Sequence, residues 1–206
     1  PGYSASRIAD RMRVTGWLVT TIGRSTIGDT ALVHAAVASA THILSSVPPN
    51  GEGDPVLRLH ADAITASPAG WVGYLSSTGV YGDSGGAGRR PTRNAADLAW
   101  QTIHPQARVF RLPGIYGPNR SALDRIAEGR AHRIDLPDQV FSRIHVDDIA
   151  SGVIASFEAG PPGIYNLADD LPAPQNEIIS YAAALLGIPA PPLLPLEDAG
   201  LSPEAR

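Results

Sequence analysis

Short β-rich runs alternate with helical runs of about ten residues along nearly the whole chain, and this alternation limits the fold more than any other feature. Ala5, Ile8, Ala9 and Met12 repeat at helical spacing, and Gly16 stands where that helix should stop. The run Trp17 to Ile22 then predicts a strand. Asp29 to Ala40 predicts a helix with Leu32, Ala35, Ala36 and Ser39 on one face, and His42 to Val47 a buried strand ended by two prolines. Asp54-Pro55 opens a helix to about Ser67, with Asp at the N-cap and Pro at the first helical position. Strands follow at 71–76, 107–112 and 163–167, with extended chain at 140–146. Helices are expected at 93–103, 121–128, 148–159 and 176–186. Strands separated by helices form parallel sheets, so the expectation is an α/β, Rossmann-like doubly wound parallel sheet.

Composition removes whole classes of function. The 206 residues contain no cysteine, which excludes disulfide scaffolds, thiol catalysis and cysteine-ligated zinc. The six histidines form no H-x-x-x-H pair, and no metal site is expected. A formal charge of −4 opposes nucleic-acid binding. No run of about 18 apolar residues is present to span a membrane, and no export signal is visible. The expectations are therefore a cytoplasmic protein with a small-molecule substrate, binding neither nucleic acid nor membrane.

Gly2, Tyr3, Ser4 and Ala5 stand at a helix start, as at the end of a glycine-rich dinucleotide loop. There a glycine lets backbone approach a pyrophosphate and the helix terminus supplies N–H donors. About 20 residues later, where a ribose-reading acid belongs, stand Arg24 and Ser25. An Arg and a Ser suit a 2′-phosphate, so NADP is favoured over NAD. A strand is expected before Gly2 and a third between Ile22 and Asp29. Neither has room, so omitted residues are expected before residue 1, around 25–29, around 86–93 and after 206.

Ser76-Ser77-Thr78-Gly79-Val80-Tyr81-Gly82 resembles the S-S-x-x-V-Y-G stretch of extended short-chain dehydrogenases/reductases, the NAD-dependent epimerase/dehydratase family. Arg111-Leu112-Pro113-Gly114-Ile115-Tyr116-Gly117-Pro118 resembles its R-x-x-x-x-Y-G-P. Ile144-His145-Val146-Asp147-Asp148-Ile149-Ala150 and Gly163-Ile164-Tyr165-Asn166-Leu167 resemble two further blocks, in the family's order. The resemblance implies a core over residues 1–118, with 140–168 returning to it, and a small C-terminal substrate lobe over 119–206. It implies that Ser77 orients the substrate oxygen and that Ser46, Val47, Pro48 and Ser76 pass the cofactor. It also implies that Leu112, Gly114 and Tyr116 lie near the nicotinamide, and it suggests a homodimer.

One departure is chemical. The family's Tyr-x-x-x-Lys dyad, counted back from Ala96-Asp97, falls on Arg89 and Arg93. A guanidinium stays protonated in a protein, so Arg89 cannot shuttle a proton, whereas Arg93 could serve a ribose or phosphate. Ser77 and Tyr81 are the remaining catalytic candidates. His145, as a buried histidine, and Asp148, as a helix N-cap, are expected to be structural. The expected activity is that of an epimerase/dehydratase-like or reductase-like enzyme acting on a hydroxyl or carbonyl, with a nucleotide sugar one candidate. A non-catalytic NADP-sensing protein on the same fold is the alternative. Gly82-Asp83-Ser84-Gly85-Gly86 spells a serine-protease nucleophile signature, but that reading requires two antiparallel barrels and has no matching histidine motif.

Overall fold

The computed structural model describes residues 1–81, 91–136 and 139–195. In chain order the elements are α1 (Tyr3–Val14), α2 (Thr30–Ser39), β1 (His42–Ser45), α3 (Pro55–Thr65), β2 (Trp71–Ser77), α4 (Pro91–Thr102) and β3 (Ala107–Leu112). They continue with β4 (Gly114–Tyr116), α5 (Ala122–Ala127), β5 (Arg133–Ile134), β6 (Val140–Phe141), β7 (Arg143–His145) and α6 (Val146–Ala155). Last come β8 (Gly163–Asn166), β9 (Ala173–Pro174), α7 (Gln175–Leu185) and β10 (Leu193–Leu194). A short 3₁₀ turn, Thr78–Tyr81, follows β2.

The chain divides into two compact units: Pro1–Pro113 with Val146–Leu167, and Gly114–His145 with Ala168–Arg206. In the first, four strands form a parallel sheet in the order β1-β2-β3-β8. Strand alternation gives each sheet face its own core. Val72, Tyr74 and Val109 join Val33, Val37, Ile64, Ala96 and Trp100 from α2, α3 and α4. Trp71 and Phe110 belong to an aromatic group with His42, Phe157 and Tyr165, and the Trp71 indole N–H donates to Ser156 Oγ just past α6. The doubly wound expectation holds.

Local chemistry explains the helix starts. Asp54 Oδ1 accepts from the backbone N–H groups of Val56 and Leu57 at 2.8 and 3.0 Å, with Pro55 beside it. Its other oxygen accepts the buried indole N–H of Trp100 at 2.8 Å, which ties the cap of α3 to α4. Gly16 and Gly187 stop α1 and α7 at φ +87° and +67°, a conformation that glycine adopts without steric cost.

Three sequence expectations need correction. Trp17 to Ile22 is not a strand. Among the described residues β1 pairs only with β2, so no strand lies beside the run to bond it. Its ends are held by side chains, Trp17 against His42 and Phe157 and Ile22 against the helical core, while Leu18 is 98% exposed. Second, α2 buries Val33 and Val37 instead of the face bearing Leu32, Ala35, Ala36 and Ser39, because the helix turns its β-branched pair onto Ile64 and Val72. Third, α6 begins at Val146, so Asp148 is inside the first turn and does not cap it. The helix starts early because Val146, Ile149, Ala150 and Val153 form one buried stripe.

The second unit is held by α5 against α7 through Ile126, Ile179, Ala182 and Ala183. A capping box opens α5: Ser121 Oγ accepts from the Asp124 N–H, and the Asp124 carboxylate accepts from the Ser121 N–H at 2.7 Å. Three two-stranded ladders complete the unit, β4 with β7, β5 with β10, and β6 with β9.

Candidate functional site

In a parallel sheet ligands gather at the carboxyl ends of the strands. In the first unit that edge carries Ser45 at the end of β1 and Ser46 just after it, Ser76 and Ser77 of β2, Arg111 and Leu112 of β3, and Asn166 of β8.

At its centre is a buried polar network. Asp97 of α4 is 1% exposed and accepts from Ser76 Oγ at 2.6 Å, Gln101 Nε2 at 2.7 Å, and Arg111 Nη2 and Nε at 2.7 and 3.2 Å. Burial alone would raise the Asp97 pKa. Hydrogen bonds from Arg111 and Ser76, the Arg111 charge and Gln101 outweigh it and hold the carboxyl below its ordinary range. The Arg111 guanidinium is raised in return, first by its bond to Asp97. Its free face lies 4.9 Å from the Tyr81 ring centroid, and the Tyr81 hydroxyl donates to Asn166 Oδ1 at 2.7 Å. Tyr81 is half exposed and held from both sides.

Ser77 Oγ accepts from the Gly79 N–H at 3.2 Å, which orients the hydroxyl and leaves its proton for donation to a bound oxygen. The two catalytic candidates, Ser77 and Tyr81, therefore stand at the same sheet edge. Ser76 is different: the residue is buried and its hydroxyl donates to Asp97.

The dinucleotide candidates are placed as follows. Gly2 is the N-cap of α1, with φ −82° and ψ −178°; no side chain caps the helix, and a Cβ at Gly2 would meet nothing within 4 Å. The Ser4 side chain is buried on the same stripe as Ile8, so only its backbone N–H faces the helix terminus. Arg24 and Ser25 are exposed in a turn closed by bonds from Thr26 and Ile27 to the Gly23 carbonyl. Ser45 Oγ is buried with no hydrogen-bond partner among the described residues, so the β1 end carries an unsatisfied polar atom. The orphaned Ser45 hydroxyl at the strand end is a polar group that a dinucleotide passing the β1 terminus would satisfy. Arg93 is half-buried in the first turns of α4, and Arg89 and the Gly82–Gly86 stretch lie outside the described residues.

Gly114 and Tyr116 belong to the second unit, where β4 pairs with β7 and the Tyr116 ring meets His145 edge-on at 5.2 Å. His145 is half-buried, not fully buried. The sequence motifs did not single out Asp97 as a network centre, Asn166 as a partner for Tyr81, or Arg143. Asp97 and Gln101 at helical spacing i, i+4 were the one available signal for the network.

Known proteins share this architecture. A functionally unknown conserved protein from Silicibacter pomeroyi DSS superposes with a TM-score of 0.84 at 37% identity, over 100% of this chain and 83% of that one. A dTDP-glucose 4,6-dehydratase from Streptomyces venezuelae with NAD bound gives 0.71 at 16% identity, over 96% and 83% of the two chains. A UDP-glucose 4-epimerase from Thermotoga maritima gives 0.70 at 12% identity, over 100% and 85%. A curated 3-diazoavenalumate denitrifying reductase from Streptomyces sp is 35% identical over 93 residues, 42% of this chain, and the match spans 31% of that protein. No protein-family model matches the chain. Among the described residues no helix is long and apolar enough to cross a membrane.

Proposed function

Since the chain belongs to one family with the Silicibacter pomeroyi protein and has the fold of the extended short-chain dehydrogenases/reductases, we propose that it is an NAD(P)-dependent oxidoreductase acting on a carbonyl or hydroxyl. The observation that carries this reading is the sheet edge itself, where Ser77 and a doubly held Tyr81 stand together at the carboxyl ends of parallel strands.

A bound nicotinamide dinucleotide would supply hydride chemistry. Gly2 and the first turn of α1 hold its pyrophosphate, and Arg24 with Ser25 reads the ribose 2′ position, which favours NADP. Ser46, Val47 and Pro48 line the strand end beside Ser45. Ser77 donates to the substrate oxygen. Tyr81 has its own proton on Asn166 and its ring beneath Arg111, and it positions the substrate oxygen beside Ser77. The curated relative is named a reductase, which favours reduction over epimerisation.

The second reading, a cofactor-sensing protein without turnover, is favoured by arginines at both dyad positions. A fluorescence titration of the protein with NADPH and NADH tests the cofactor site. The expected result is tight NADPH binding, abolished by Gly2→Val, with Arg24→Ala weakening NADPH far more than NADH. Failure to bind either nucleotide sinks both readings, and equal losses for Arg24→Ala remove the preference for NADP.

A further inference from the structure

The second unit contains a cavity of about 260 Å³, to which Gly114 is the one contributor from the motif blocks. Its walls are apolar where Ile134, Leu136 and Phe141 contribute, and polar where Arg143, Gln175 and Asn176 do. Arg143 is the unusual member. One terminal nitrogen donates to the carbonyls of Phe141 and Ala173, both at 2.9 Å, and the other to Gln175 Oε1 at 2.9 Å. All three acceptors are neutral. Among the described residues no carboxylate lies within ion-pair distance of Arg143. A guanidinium carries five N–H donors, so two have no acceptor among the described residues.

Among the described residues this is a half-buried cation with no carboxylate in contact. Burial pushes its pKa down, opposed by the more distant charge of Asp169 and by Tyr116. A desolvated charge is costly until an opposite charge joins it, and carboxylate geometry matches two parallel N–H donors. Beside it, Asn176 uses its carbonyl oxygen on the Ile134 N–H, which leaves the amide NH₂ as a further donor. Arg143 and Asn176 thus both present donors to an anion. The apolar lining suits a ring: Phe141, with its centroid 5.9 Å from the Arg143 carbon, stands beside the cation. The volume falls just below the roughly 300–1,000 Å³ of ordinary ligand pockets, so the occupant is small. A nucleoside diphosphate would bring two phosphate charges to a single cation.

We propose that this cavity recognises a small aromatic carboxylic acid, the carboxylate on Arg143 and the ring against Ile134, Leu136 and Phe141. That the acid is the substrate rests on the oxidoreductase reading above; that it binds does not.

The test is a calorimetric titration of the full chain with trans-cinnamate and with its uncharged amide, alongside NADPH on the same preparation. Cinnamate should bind at least tenfold tighter than cinnamamide. Arg143→Gln should remove that difference, but Arg143 also ties the β6 and β9 carbonyls and its loss could unfold the unit. Phe141→Asp is therefore the second variant: the side chain is 40% exposed, and a carboxylate there repels the acid, weakening cinnamate at least tenfold. Equal affinity for acid and amide, no binding of either, an unchanged Phe141→Asp, or displacement of cinnamate by UDP-glucose would each overturn the proposal. Cinnamate binding without NADPH binding would sink the oxidoreductase reading alone, and the reverse would sink the acid site alone.

Discussion

Asp97→Ala should be the most damaging single truncation at the sheet edge. The carboxylate side chain is 2% exposed and that of its partner Arg111 is 15% exposed, so solvent screens the pair little. Removing the acid strands a guanidinium in the interior and leaves Ser76 Oγ without its acceptor. Breaking a buried pair from one side costs about 3–5 kcal/mol. With a urea dependence of about 2 kcal/mol per molar, the unfolding midpoint should fall by about 1.5–2.5 M. Tryptophan fluorescence is the assay, because Trp17, Trp71 and Trp100 all belong to the first unit and report on it alone. The pH dependence gives a second check. The folded Asp97 pKa is depressed, so its stabilisation is present above the unfolded value near 3.9 and lost as pH falls through the folded one. Asp97→Asn should flatten that acid limb. A midpoint shift below about 0.5 M for Asp97→Ala, equivalent to about 1 kcal/mol, or an unchanged acid limb for Asp97→Asn, would refute the network as described.

Gly73→Ala drives a Cβ into the Trp71 ring, which His42, Phe110 and Phe157 hem in, and should cost about 1–3 kcal/mol or more in urea unfolding. A neutral result would mean that the Trp71 ring turns aside freely. His42 has its pKa lowered, first by burial and then by the Arg108 charge. The stabilisation from neutral His42 is full above about pH 6.5 and lost as pH falls through the folded value, so His42→Phe should lose less melting temperature between pH 7.5 and 5.5 than the parent. Equal losses would place His42 outside the packed cluster. Ser77→Ala should keep NADPH affinity and lower turnover roughly 10²-fold, measured by NADPH oxidation once a substrate is found. Full activity would exclude Ser77 from the chemistry.

Much of the fold is local and therefore legible in the chain. Asp54-Pro55 announces α3, Gly16 and Gly187 announce helix ends, and Trp71 to Ser76 reads as a strand, because caps, left-handed glycines and β-rich runs act within a few residues. The alternation of such runs determines the parallel doubly wound class, and the motif blocks place Ser77 and Tyr81 at the sheet edge. Pairing is not local. Trp17 to Ile22 has strand composition, but a strand exists only where a neighbour supplies hydrogen bonds, and among the described residues none does. The buried face of α2 likewise depends on what lies above β2, which periodicity along α2 cannot report. The two features with most chemical consequence join distant residues: Asp97 with Arg111 and Tyr81 with Asn166 on one side, Arg143 with Gln175 on the other. Whether a charge is neutralised depends on which groups the fold brings within a few ångströms, and that is decided by tertiary structure alone.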